Sequence, residues 1–186
     1  MRRAALALLL LLGACAVTPQ PDTAVVAGNI NTMNPILEPS YALNYASWAM
    51  AVPSRIRNNA TAGAYVMAAV DYLAGYVATS PRFDGINGFA VQRLLVGRQE
   101  ERRALGVAPG ATSTEVVNDL LGVYKALLRH DVPAAEASLP TSVFTLGPQR
   151  TLAILADLPP MPAASSALSA IAAQYNGNSR FCPLCL

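Results

Sequence analysis

Residues 60–78 read ATAGAYVMAAVDYLAGYVA and carry a single charge, that of Asp71. At about 100° per residue, Tyr65, Tyr72 and Tyr76 fall within roughly 40° of each other on a helix. A strip of valines and leucine lies beside them, and the remaining strip holds mostly small side chains. A helix that is apolar almost all round is typical of a buried position. The stretch predicts a central helix, over whose alanines and glycines neighbouring helices pack closely.

Prolines and capping residues divide the flanking sequence into further helices. Pro39 and Ser40 predict the start of the first helix, and Pro53 and Ser54 predict the start of a long second helix that includes the central stretch. The second helix is expected to end at Ser80, because a proline follows it.

Helical patterns continue through the second half of the chain. A third helix is expected from about Ile86 to Leu105, and a capping box of Thr112 and Glu115 precedes the clearest amphipathic pattern in the chain. Shorter helices are expected after His130, from about 147 to 157, and around the apolar stripe of the last segment. The fold prediction is all-α: one small domain of six to seven helices over residues 39–186, without convincing strands.

The charge balance excludes a function based on a basic surface. The chain has 13 Lys and Arg against 11 Asp and Glu. Without Arg2 and Arg3, which lie in a segment expected to be removed, the two signs are equal. A neutral protein lacks the electrostatic surface that nucleic acids and acidic membranes require, so no nucleic-acid partner is expected.

The N-terminus carries a targeting signal. Arg2 and Arg3 precede a short apolar run, and the sequence Leu-Gly-Ala-Cys ends at Cys15. Residues 1–15 resemble a bacterial lipoprotein signal with its lipobox. The resemblance implies removal of residues 1–14 by signal peptidase II and lipid attachment at Cys15. Ala16 favours the outer membrane, on its periplasmic face. The alternative is an ordinary secretory signal cut after Ala16.

Residues 15–38 are expected to form a flexible tether between the lipid and the domain. They contain several prolines, threonines and asparagines and no helical period. The alternative is that part of this segment docks onto the domain, and it is left open for residues 29–36. The apolar side chains that would dock are Val25, Val26, Ile30, Met33 and Ile36.

An aromatic stripe marks the first helix. Tyr41, Tyr45, Trp48 and Val52 share one face, which predicts a core-facing position, with ligand stacking as the alternative. The cluster Arg98–Arg103 mixes charges at helical spacing and is expected to be a solvated surface.

Asp71 is the carboxylate of greatest interest, because a lone acid in an apolar helix can be a functional group with a raised pKa. The alternatives are that it faces solvent or pairs with an arginine from a neighbouring helix. Glu115 and Asp119 are spaced i, i+4 and could form a catalytic carboxylate pair, although their place in the first helical turns explains them equally well. His130, the single histidine, is interpreted as a helix C-terminal residue. No catalytic residue and no cofactor is therefore assigned.

Cys182 and Cys185 lie near the C-terminus and are separated by two residues. They are expected to form a local disulfide in an oxidising periplasm. The alternative is a thiol or zinc function, but the usual number of zinc ligands is lacking, so no metal site is assigned.

These patterns together indicate an outer-membrane-anchored periplasmic lipoprotein that binds or scaffolds another component of the cell envelope. Its expected partners are the membrane, through the N-terminal lipid, and a protein of the envelope. The alternative functions are a small periplasmic enzyme that uses its acidic residues, and a thiol or metal function at the C-terminal cysteines.

Overall fold

The structure, a computed structural model, describes residues 21–26 and 37–179. The described residues form one all-α domain, which confirms the predicted fold class. Its helices are α1 (Pro39–Ala51), α2 (Ala60–Thr79), α3 (Gly88–Leu105), α4 (Ser113–Leu128), α5 (Val132–Ala137), α6 (Pro148–Ala156) and α7 (Pro162–Ser179). Short 3-10 turns at Pro53–Ile56 and Pro81–Phe83 flank α2.

Helix α2 is the centre of the domain, as its sequence predicts. It is buried along almost its whole length and packs against α1, α3, α4 and α6. At Gly63 a Cβ atom would overlap the carbonyl oxygen of Leu155 in α6, and at Gly75 it would overlap the backbone of Asp22. The two glycines therefore allow the close approach that the small-residue composition of this helix predicts.

The start of the second helix differs from the prediction. Instead of one helix from Pro53, the chain forms a 3-10 turn and begins α2 at Ala60. Asn58 adopts a left-handed backbone with φ 59°, and the Asn59 side chain accepts a hydrogen bond from the backbone N–H of Ala62 at 3.0 Å. Asparagine favours both roles, and together they interrupt the helix and cap a new one.

Part of the predicted tether lies on the domain. In the segment 21–26, which has no regular secondary structure, Ala24 and Val26 are buried. The backbone N–H of Val25 donates to the Thr114 hydroxyl of α4 at 3.0 Å. The prediction of a flexible tether is therefore wrong for this segment. Of the two valines that the docking alternative names here, Val26 is buried and Val25 is exposed.

Several predictions concern residues outside the described ranges. These are the signal segment 1–14, the lipid site Cys15, the docking of 29–36, and the disulfide between Cys182 and Cys185. None of the helices in the described part of the chain is long and apolar enough to cross a membrane.

Helix α4 begins as predicted. The Thr112 side chain accepts from the backbone of Glu115, and the Glu115 carboxylate accepts from the backbone of Thr112. The only β-type pairing in the described ranges is an isolated bridge between Val107 and Phe144, so no strand is present there.

Candidate functional site: a tyrosine cleft and a buried acid pair

The aromatic stripe of α1 lies at the surface. Tyr41 is 60% exposed, Trp48 is 47% exposed and Val52 is 40% exposed, so the predicted core position is wrong for these side chains. The face of α1 that packs on α2 and α7 consists of smaller residues, namely Ala42, Leu43, Ala46, Ala49 and Met50. The larger aromatic side chains are therefore left on the outer face.

Two aromatic side chains of this stripe, Tyr41 and Tyr45, form one wall of an open cleft between α1, α2 and α4. The cleft encloses about 470 Å³, within the range of small-molecule sites. We call it the tyrosine cleft; its lining residues are Tyr41, Tyr45, Asn59, Thr61, Ala62, Tyr65, Tyr124, Leu127, Leu128 and His130.

Tyr65 of α2 lies between the α1 side and the α4 side of the cleft and contacts aromatic rings on both. Its ring centroid lies 5.4 Å from that of Tyr45, in an edge-to-face arrangement, and 5.3 Å from that of Tyr124. The ring of Tyr41 stacks on that of Tyr45 at 5.9 Å. Since Tyr65 is only 4% exposed, it supports the neighbouring rings from below, and the more exposed tyrosines face the solvent.

His130 lies at the end of α4 in a left-handed conformation, with φ 58°. The backbone N–H of Asp131 donates to the carbonyl of Ala126, and that of His130 donates to the carbonyl of Leu127. This is the Schellman arrangement, in which glycine is the usual residue at the left-handed position. The His130 imidazole therefore lines the cleft at the end of α4. The sequence predicted the position of His130 at a helix C-terminus but did not indicate the cleft.

The cleft is lined by neutral hydroxyls. Burial raises the pKa of the Tyr65 phenol, and burial followed by the neighbouring Tyr41 and Tyr124 raises that of Tyr45. Within the described ranges, no hydrogen bond engages the side chains of Tyr41, Tyr124, Thr61 or His130. These groups can therefore bond to a ligand without breaking a contact within the protein.

A second polar group lies inside the domain, on another face of α2. The fully buried Asp71 accepts from Arg102 of α3 through Nε at 2.6 Å and through Nη2 at 3.2 Å. Arg102 also donates to the carbonyl of Ala111 and to the hydroxyl of Ser113. Of the alternatives that the sequence left open for Asp71, the structure supports the ion pair with a neighbouring helix.

Glu101 lies beside Asp71 and is fully buried. If both acids were ionised, neither carboxylate oxygen of Glu101 would have a hydrogen-bond partner among the described residues, since ionised carboxylates only accept. Burial, followed by the negative charge of Asp71, raises the pKa of Glu101 well above its usual range. Glu101 is therefore the protonated member of this buried acid pair, and its proton can bond to Asp71.

The buried acid pair corrects the interpretation of Arg98–Arg103 as a solvated surface. Glu101 is buried and Arg102 is partly buried, whereas Gln99 and Arg103 are exposed. The sequence does not reveal this arrangement, because charges at helical spacing look the same on a solvated helix and on one covered by neighbouring elements. The one signal in the sequence was Asp71 itself, because a carboxylate in the middle of an apolar helix requires a cationic partner such as an inward-facing arginine.

The other carboxylates do not join the acid pair or the cleft. Glu115 is an exposed capping residue, and its hydrogen bonds to Thr112 lower its pKa. Burial, followed by the charge of Glu115, raises the pKa of Asp119 to about 6. No group of three or more His, Cys, Asp or Glu side chains placed to hold a metal occurs in the described part of the chain.

Comparisons with protein-family models, with curated proteins and with solved structures find no match to this chain. The assignment of a function therefore depends on the sequence signal and on the chemistry of the cleft.

Proposed function

We propose that this protein is a lipoprotein of the bacterial outer membrane, attached through Cys15 on the periplasmic face, and that it is a binding protein without catalytic activity. The lipobox at residues 12–15 supports the anchoring. The observation that carries the binding function is the tyrosine cleft, which is open and lined by the hydroxyls of Tyr41, Thr61 and Tyr124, for which the described residues provide no hydrogen-bond partner.

A catalytic role for the predicted carboxylates has less support. Asp71 is sealed inside the domain in an ion pair, and Glu115 is engaged in a capping box. Neither lines the tyrosine cleft. A general acid or base must lie within hydrogen-bond reach of the substrate proton that it transfers. Asp71 and Glu115 do not share a cleft in which a substrate could contact both of them.

The test compares variants of the full chain in cells that lack the native protein and show the resulting envelope phenotype. Tyr41→Ala should abolish complementation while the domain stays folded by circular dichroism, because the side chain is largely exposed. Phe89→Ala is the matched control: Phe89 is an aromatic residue, 73% exposed, that lies outside the cleft, so this variant should complement fully.

The double variant Glu115→Gln with Asp119→Asn should also complement. If it fails while folded and Tyr41→Ala succeeds, the function is enzymatic and the binding proposal is wrong. Cys15→Ala should release the protein from the detergent-soluble membrane fraction, because stable anchoring needs the acyl chains. A Cys15→Ala protein that still carries lipid would contradict the anchoring proposal.

A further inference from the structure

We infer that the tyrosine cleft binds a saccharide, a short segment of a neutral glycan, and this inference rests on the binding function proposed above. Four features of the cleft carry it: the faces of its aromatic rings, the neutrality of its lining, its hydroxyl and amide groups, and its size.

The aromatic rings form a continuous surface. Along α1 the rings of Tyr41, Tyr45 and Trp48 are in contact, with centroid separations of 5.9 and 5.7 Å. The face of an aromatic ring carries partial negative charge, and the C–H groups on the flat side of a sugar ring are partially positive. Tyr41, which lines the cleft and is 60% exposed, is therefore available to stack with a flat sugar ring.

The polar groups of the cleft are suited to hydrogen bonds with the hydroxyl groups of a sugar. Tyrosine and threonine hydroxyls, the Asn59 amide and the imidazole of His130 surround the rings. The hydroxyls and the amide donate and accept hydrogen bonds without carrying a full charge, as sugar hydroxyls do. None of the described residues that line the cleft is Asp, Glu, Lys or Arg. The nearby Arg55 lies over the Trp48 ring at 4.9 Å and donates to the Trp48 carbonyl.

A quaternary ammonium ligand fits less well. An aromatic cage holds such a cation tightly between exposed rings. Here the floor ring, Tyr65, is covered by its neighbours, and a volume of about 470 Å³ is too large to enclose one ammonium group closely. No carboxylate lines the cleft to offset the loss of hydration of a cation.

A proline-rich peptide is the strongest competing ligand, because such peptides dock on aromatic grooves. A proline ring inserted between two aromatic rings requires centroids about 7–8 Å apart, twice the ~3.5–4 Å contact distance. The neighbouring rings Tyr41–Tyr45, Tyr45–Tyr65 and Tyr65–Tyr124 lie 5.3–5.9 Å apart. A proline ring therefore cannot insert between the rings of any of these three pairs.

Trp48 provides a built-in probe, since the chain contains a single tryptophan and its ring contacts Tyr45. The experiment titrates the full-length protein with chitotriose, with cellotriose and with a proline-rich decapeptide, and follows tryptophan fluorescence. We expect a saturable change with at least one of the two saccharides. Tyr41→Ala should weaken that binding about tenfold, the size of one lost aromatic stacking contact, and Phe89→Ala should leave it unchanged.

Three outcomes would overturn the inference: no saturable response to either saccharide, a response that Tyr41→Ala leaves intact, or saturation by the peptide alone. The cellular test separates this failure from failure of the proposed function. If Tyr41→Ala still abolishes complementation while both saccharides fail to bind, the cleft remains the binding site and only the ligand class is wrong.

Discussion

The tyrosine cleft and the buried acid pair both involve the central helix, but their polar groups have opposite environments. In the cleft, hydroxyls and an imidazole face an open space and make few contacts within the protein. In the acid pair, Asp71 has no solvent exposure and receives two hydrogen bonds from Arg102. The carboxylate that the sequence singled out is therefore held in an ion pair, whereas the hydroxyls of Tyr41, Thr61 and Tyr124 have no hydrogen-bond partner among the described residues.

The two regions also differ in how stability depends on them. Removing one partner of a buried ion pair leaves a charge without compensation, whereas truncating an exposed side chain changes little. Four predictions use this difference, in order of decreasing effect on the free energy of unfolding.

Arg102→Gln should lower the free energy of unfolding by about 3–5 kcal/mol, because Asp71 would remain buried without its cation. Arg103→Gln is the matched control on the same helix, since Arg103 is exposed, and should change it by less than about 0.5 kcal/mol. Urea unfolding followed by circular dichroism measures both. Equal effects of the two substitutions would show that the ion pair does not stabilise the domain.

Within the cleft, Tyr65→Ala should cost about 3 kcal/mol, because it removes a ring that is 4% exposed and contacts both walls. Tyr41→Ala should cost about 1 kcal/mol or less, since most of that side chain already faces solvent. The same unfolding measurement applies. A large loss of stability in Tyr41→Ala would mean that the cleft is a structural element and not an open site.

The acid pair should make stability depend on pH. Because the pKa of Glu101 is raised in the folded state, folding keeps a proton that the unfolded chain releases above about pH 4.5. Stability should therefore fall as the pH rises from about 4.5 through the folded pKa. Glu101→Gln cannot ionise and should remove this fall, which for one proton is at most about 1.4 kcal/mol per pH unit.

The pH dependence of the Glu101→Gln variant is compared with that of the Asp119→Asn variant. The pKa of Asp119 is raised from 3.8 to about 6, so its own contribution to the fall in stability ends near pH 6. Unfolding curves between pH 4 and 8 distinguish the pH range over which Asp119 lowers the stability from the range over which Glu101 does. A Glu101→Gln protein with the same pH dependence as the native protein would contradict the assignment of the proton to Glu101.

The smallest effect is expected at the rim of the cleft. His130→Gly should be about 1 kcal/mol more stable than His130→Ala, because only glycine adopts the left-handed conformation without a Cβ penalty. Both variants lack the imidazole, so any loss of ligand binding should be the same in both. Thermal unfolding measures the first difference and the fluorescence titration measures the second. Different affinities would indicate that the backbone of the helix end, and not the imidazole, sets binding.

The sequence by itself determined the fold class and the role of α2. The composition of residues 60–78 requires burial on nearly all sides, and the capping box at Thr112 and Glu115 sets the start of α4 through hydrogen bonds between residues three apart. These features depend on neighbours in the sequence, and that is why they could be predicted.

Tertiary structure alone decided which faces of the helices were covered. The stripe of Tyr41, Tyr45 and Trp48 is as apolar as a core stripe, but α1 packs through its smaller residues and leaves the aromatic rings at the surface. Glu101 occurs in a charged run like that of a solvated helix, yet it is buried beside Asp71. Periodicity gives the faces of each helix, but the burial of a face depends on the neighbouring elements, which are distant in sequence.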